Sequence, residues 1–300
     1  RVDMDMKKAV LVGAILLAVV YIGGSMMATQ KAEEVMQGVV NESASFGVDI
    51  TYDDLSASVL GSVSISELVI DTSLGKILID ELYIDEYDQE DAFISELSLT
   101  ADEIEVTGFP IRANPRDLSE ALLFLLQQED KSADLALSIE IDLEDDEVEL
   151  ENLSIEGDDI GELRMSLNMT GLEKIRDLDN QNALLIGTVL LQDLVVNEAS
   201  LYLEDEGILQ ALLESEAQQK GVTAQSLRDQ AVDRGKLAKD KASDKYQQQL
   251  AEAGIALLEG DSITLTLDSE TPVKLGPLLL SNGQGMQREL QKLKFDLDID

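Results

Sequence analysis

Across Ser64–Asp85, "SISELVIDTSLGKILIDELYID", an apolar residue is followed by two others, a Leu, one other and a second apolar residue, and the phrase then repeats. The pattern apolar–x–x–Leu–x–apolar recurs as Ile65/Leu68/Ile70, Ile79/Leu82/Ile84, Ile94/Leu97/Leu99, Leu150/Leu153/Ile155 and Leu191/Leu194/Val196. A polar residue precedes each Leu: Glu67, Glu81, Glu96, Asn152 or Asp193. Leu68, Leu82 and Leu97 stand 14 and 15 residues apart, the length of a strand plus a turn, so one structural unit is reused. A plain strand keeps one face on a spacing of two, and the three-residue step to each Leu breaks that phase. One extra residue at the polar position, a bulge, would return the Leu to the same face and increase the local twist.

Between the copies the alternation is cleaner. Leu135, Leu137, Ile139, Ile141 and Leu143 alternate with small or acidic residues, "EDDE" turns the chain, and Val148 and Leu150 resume. Leu163, Met165, Leu167 and Met169 form a further strand after a Gly157–Gly161 turn. These spacings predict an antiparallel meander with one wet and one dry face.

Asn114-Pro115 sets a cap and a first-turn proline ahead of a helix near 115–128. A longer helical segment, 206–258, breaks at Gly221 and restarts at a Thr223 cap. Its charged middle, "DRGKLAKDKASDKYQQQ", reads as exposed. Strands return at Ser262–Asp268 and at "LKFDLDID", where Phe295, Leu297 and Ile299 face one way and three Asp residues the other. The expected fold is mainly β with helical insertions, a twisted antiparallel repetitive sheet forming a groove or a sandwich.

At the N-terminus Lys7 and Lys8 precede Ala9–Ala28, "AVLVGAILLAVVYIGGSMMA", twenty uncharged residues. At ~1.5 Å per residue such a helix spans a ~30 Å hydrocarbon core. Lysines before it, and Glu33 and Glu34 after it, point to a cytoplasmic start with the bulk of the chain on the far side. A cleaved signal peptide is the rival, with Gly23 and Ser25 as its small residues; the length of the run favours a retained anchor. The organisation expected is a cytoplasmic start (1–8), a transmembrane helix (9–28), a helical linker (29–50) and a repetitive β domain (51–205). The partly exposed helical segment (206–258) and strands completing the β domain (259–300) follow.

Composition narrows the chemistry. Only 4% of residues are aromatic and none is Trp, so the core is aliphatic. Sixty-one acidic against 22 basic residues give a net charge of −39, which repels phosphate backbones and excludes nucleic acid as a partner. The acids alternate with apolar residues, as the solvent side of strands does, and no metal is assigned to them. No Cys exists for a disulfide and no His to activate a serine, and no G-x-S-x-G elbow occurs. "NGQG", Asn282–Gly285, lacks the rest of a dinucleotide fingerprint and is a turn. No catalytic residue and no cofactor are expected, and the chain is not read as an enzyme.

A short cytoplasmic start, one membrane helix and then "YDDLSASVLGSVSISELVIDTSLGKILIDELYID" resemble the opening of AsmA-like proteins of the Gram-negative envelope. The resemblance covers the anchor and about Tyr52–Gly108, a pattern more than a fixed motif. It implies an inner-membrane-anchored periplasmic protein with a curved repetitive sheet and an apolar inner groove. It also implies a role in phospholipid movement or outer-membrane assembly. The chain is short for spanning a periplasm. On the residues alone the apolar side is either an open groove or a closed core. As a groove it would take phospholipid acyl chains on Ile65, Leu68, Ile70, Ile79, Leu82, Ile84, Ile94, Leu97, Leu99, Leu150, Leu153 and Ile155. The other reading is a scaffolding subunit that binds an envelope protein through its sheet edge and helices.

Overall fold

The computed structural model describes residues 33, 36–38, 40–41, 43–44, 47–58, 62–90, 93–110, 115, 118–142, 144–171, 194–274 and 295–300. The proposed membrane helix, 9–28, lies outside them. Among the described residues no helix is long and apolar enough to cross a membrane. The fold is mainly antiparallel β-sheet with helices, and it divides into two compact units.

The first unit comprises residues 1–110 together with Asp134–Ser138. It holds β1 (Val48–Thr51), β2 (Asp54–Ala57), β3 (Val63–Thr72), β4 (Gly75–Glu90), β5 (Phe93–Thr107) and part of β6 (Ala133–Asp142). Strands β3, β4 and β5 form an antiparallel meander, while β1 and β2 share the free edge of β3. β2 pairs with Val63–Ser66 and β1 with Val69–Thr72, so the edge changes hands at Glu67 and Leu68.

That point is where the phase slips. Val63, Ile65, Leu68 and Ile70 are all buried although Ile65 and Leu68 are three apart. The bulge expected at Glu67 and Glu81 is absent: the β3–β4 register runs unbroken from Val63↔Ile84 to Thr72↔Gly75. Instead the slip is shared. Glu67 adopts a left-handed backbone (φ 49) opposite Asp80, and Asp80 lies opposite Glu103, also left-handed (φ 51). Three strands change phase at one level, so no strand needs an extra residue. β5 carries a copy of the phrase that its sequence hides, Ala101/Ile104/Val106, with Glu103 at the polar position and Ala101 and Val106 buried. In the third copy the register shifts at Ser95, one residue before Glu96.

The second unit comprises residues 111–133 and 139–300. Its strands β7 (Glu147–Gly157), β8 (Gly161–Thr170), β9 (Val195–Asp205), β10 (Ile263–Lys274) and β11 (Phe295–Ile299) pair in chain order, all antiparallel. Here the expected bulge is present: Leu150 pairs with Leu167 and Leu153 with Met165, leaving Glu151 and Asn152 opposite Ser166 alone. The β7–β8 turn is tight, with Asp159 left-handed and Ile160 N–H donating to the Gly157 carbonyl (3.0 Å). Gly161 (φ 106) packs so closely on the Glu204 carbonyl that a Cβ would collide with it.

Among the described residues, four helices complete this unit: α1 (Leu118–Leu126), α2 (Ile208–Lys220), α3 (Ala224–Asp240) and α4 (Lys245–Glu259). Gly221 ends α2 in the left-handed region and the Thr223 hydroxyl caps α3 by accepting from Ser226 N–H, as the sequence predicts. The 206–258 segment breaks a second time, however, where Asp244 caps α4 by accepting from Gln247 N–H (2.8 Å). Its charged middle is exposed, as the sequence predicts: Lys236, Leu237, Ala238, Lys239, Asp240 and Lys241 all face solvent. Gly235 of α3 sits against Ile255 of α4, and Lys236–Glu259 (3.3 Å) and Lys239–Glu252 (2.8 Å) bridge the two helices.

Candidate functional site

Directly paired residues in an antiparallel sheet share a face, so the register of the second unit defines its apolar side. Leu153, Met165, Leu201, Leu265 and Leu297 form one row across five strands. Ile155, Leu163, Leu203 and Ile263 form the next, and Leu150, Leu167, Ala199 and Leu267 the row on the other side. At the β10–β11 end this face is covered. Ala253, Ala256 and Leu257 of α4 pack on Ile263, Leu203, Leu265 and Leu297, and Tyr246 meets Phe295 edge-to-face at 5.1 Å.

Toward β7 and β8 the cover thins. Leu150, Leu153, Ile155, Leu163, Met165, Leu167 and Leu201 are all half-buried, and none is closed off as a core residue would be. Leaving a Leu or Met side chain partly in water forgoes part of the ~1.5–3 kcal/mol that full burial contributes. A contiguous row of such residues is a surface with something to gain from contact.

The opposite face of the same strands satisfies itself. Arg164 stacks on the ring of its cross-strand neighbour Tyr202 (4.9 Å) and grips Glu162 through two nitrogens. That grip holds the Glu162 carboxyl below its ordinary range. Tyr202 O–H donates to Glu204 (2.9 Å), and the Asn197 amide donates to Asn168 (2.9 Å), which donates to Glu147.

A recess of about 520 Å³ crosses the sheet at the level of Leu150, Leu167, Ala199 and Leu267. Three irregularities lie close to this level: the β7 bulge, the β8–β9 shift after Asn168 and the β9–β10 shift after Asp268. Between these shifts the alternation of faces is regular: Glu149, Asn168 and Glu198, and Ser166, Ser200 and Thr266, stand on the polar face, while Leu150, Leu167, Ala199 and Leu267 stand on the apolar one. Its size falls within the range of small-molecule sites.

The residues expected to face lipid fall into two sets. In the first unit Ile65, Leu68, Ile70, Ile79, Leu82, Ile84, Leu97 and Leu99 are buried. They meet across strands as Ile65↔Leu82, Leu68↔Ile79 and Ile84↔Leu99. Ile94 of β5 pairs with Gln89 of β4, and its side chain lies outside the described part. In the second unit Leu150, Leu153 and Ile155 stand on the half-open face, opposite Leu167, Met165 and Leu163. Sequence reading placed Met165 and Leu163 on a strand but not beside Leu153 and Ile155, because only the register makes them neighbours.

A family model described only as an uncharacterised protein matches residues 154–298, from within β7 into β11. No curated protein matches the chain. Among the described residues no group of acidic side chains is arranged to hold a metal ion.

Proposed function

We propose that this is a non-catalytic, single-pass inner-membrane protein of the bacterial envelope, with most of its chain in the periplasm. Its half-open apolar sheet face binds or shields lipid acyl chains and so contributes to envelope lipid homeostasis or outer-membrane assembly. The observation that carries the reading is the row Leu153–Met165–Leu201, left half-buried beside a polar face that is internally satisfied. Leu163 to Met169 covers six strand steps of ~3.4 Å, about 20 Å of apolar track, which suits an extended acyl chain. Each methylene transferred onto such a track contributes about 0.8 kcal/mol. The uncharged run Ala9–Ala28 and the resemblance of Tyr52–Gly108 to AsmA-like proteins supply the anchor and the envelope setting.

The test is a photo-crosslinking amino acid placed at Met165 or Leu201 in the full chain in cells, with Thr264 on the polar face as control. Lipid adducts at the first two positions and not at the third are expected. Adducts to protein at all three would favour the scaffolding reading. The absence of lipid at Met165 and Leu201 overturns the proposal.

A further inference from the structure

Helices α3 and α4 hold each other more firmly than either holds the sheet. Gly235 lets them approach at Ile255, and the Lys236–Glu259 and Lys239–Glu252 ion pairs bridge them. Against the strands α4 sets Ala253, Ala256 and Leu257, with Tyr246 on Phe295 at one end. The two alanines put only a methyl group each into that contact, and the gain from burial scales with the apolar area covered. The ion pair from this hairpin to the strands, Lys245–Asp296 (3.0 Å), joins side chains that are 73% and 83% exposed, and such a pair adds little.

Helix α2, in contrast, is fixed to the body of the unit. Asp205 of β9 accepts from Leu209 N–H (2.9 Å), and the buried Ser215 hydroxyl donates to the Pro115 carbonyl (3.1 Å). Toward the hairpin α2 makes a side-chain bond in which Arg228 donates to Gln210 (2.9 Å). Two glycines separate the parts: Gly221 (φ 67) ends α2 and Gly260 (φ 95) ends α4. A Cβ on either would meet nothing within 4 Å, so no neighbour pins these backbones, and glycine moves between backbone regions at low cost.

We infer that the α3–α4 hairpin is a lid that swings as one body about Gly221–Thr223 and Gly260–Asp261 while α2 and the strands stay in place. With the lid closed, the row Leu153–Met165–Leu201 is half-open over β7, β8 and β9. With it open, the same row continues through Leu265 and Leu297 across five strands. The lid thus sets the width of the apolar face, whatever that face binds.

The chain contains no Cys, so a single introduced thiol reports alone. Ala253→Cys places it on the inner side of the lid (5% exposed) and Val148→Cys places it in β7 (6% exposed). In the purified full chain the first thiol is expected to react with a maleimide about tenfold faster than the second. Tyr246→Ala, which removes the ring contact with Phe295, should raise the first rate about tenfold further and leave the second unchanged. Native-state hydrogen exchange on the parent chain supplies a measurement free of substitutions: the amides of α3 and α4 should open together, ahead of those of α2, β9 and β10. Equal rates at the two thiols, equal acceleration of both by Tyr246→Ala, or exchange in which α4 opens without α3 or only together with α2 overturns the lid.

Discussion

Glu67 and Glu103 face Asp80 from either side, one on β3 and one on β5, and both hold the left-handed backbone that L-residues with a Cβ disfavour. The Glu103 N–H is accepted by Asp134 of β6 (2.8 Å), which fixes one end of the crease. A left-handed residue with a side chain costs about 1–2 kcal/mol relative to glycine. Glu67→Gly is therefore expected to stabilise the first unit by about 1 kcal/mol and Glu67→Val to destabilise it. Urea denaturation of the two variants beside the parent checks the order.

The apolar residues on the two sides of the division should answer differently to truncation. Leu82, 1% exposed and paired with Ile65 and Ala101, should cost about 2–5 kcal/mol as Leu82→Ala. Leu153, half-buried, should cost about 1 kcal/mol or less as Leu153→Ala while lowering lipid adducts at Met165. Equal stability losses would show the second face to be closed in solution.

Helix α3 crosses α4 at a glycine. A Cβ on Gly235 would lie 2.7 Å from Ile255 Cγ1, so the helical preference for alanine of about 1 kcal/mol is outweighed by overpacking. Gly235→Ala should lower thermal stability, and adding Ile255→Ala should recover part of the loss. Simple additivity in that double-mutant cycle would argue against the contact.

Two aspartates contribute to the pH dependence of stability with the same sign. Burial, followed by the neighbouring charges of Asp134, Glu81 and Asp80, raises the Asp102 carboxyl above its ordinary value. Burial also raises that of Asp205, against the opposing pull of the Leu209 and Ile208 N–H groups and Arg228. A raised folded-state value means that the folded chain binds the proton more tightly. Each group therefore contributes stability below the ordinary carboxyl range, and that contribution is lost as pH rises through the raised value. Asp102→Asn and Asp205→Asn should each flatten this fall in midpoint denaturant concentration with rising pH. Glu252, lowered chiefly by its bond with Lys239 and then by Gln248, has the opposite sign: it contributes above the ordinary value and loses that as pH falls. Glu252→Gln should therefore lose stability at neutral pH and little in acid.

The repeated phrase made the strands and the slip in phase legible, and Gly221 and Thr223 marked a helix break correctly. How each slip is accommodated was not legible. A bulge on one strand and a crease shared by three look alike in a single segment, and only the partner strand distinguishes Asn152 from Glu67. Ala101/Ile104/Val106 escaped notice because its first residue is small. Asp244 went unread as a cap because it sits in a run of charges with no apolar residue to mark a helix start. Of the candidate site, Leu150, Leu153 and Ile155 were visible as a repeat, while the recess beside them depends on pairing with β8, β9 and β10.

Among the described residues β11 stands last in the strand order of the second unit, and it alternates Phe295, Leu297 and Ile299 with Asp296, Asp298 and Asp300. An identical strand from another molecule, approaching that margin to continue the ladder, would bring aspartate against aspartate at the spacing of adjacent strands, about 4.8 Å. The molecule thus has a built-in deterrent to stacking into fibrils, one that acid or concentrated salt removes and that Lys245, paired with Asp296, only partly offsets.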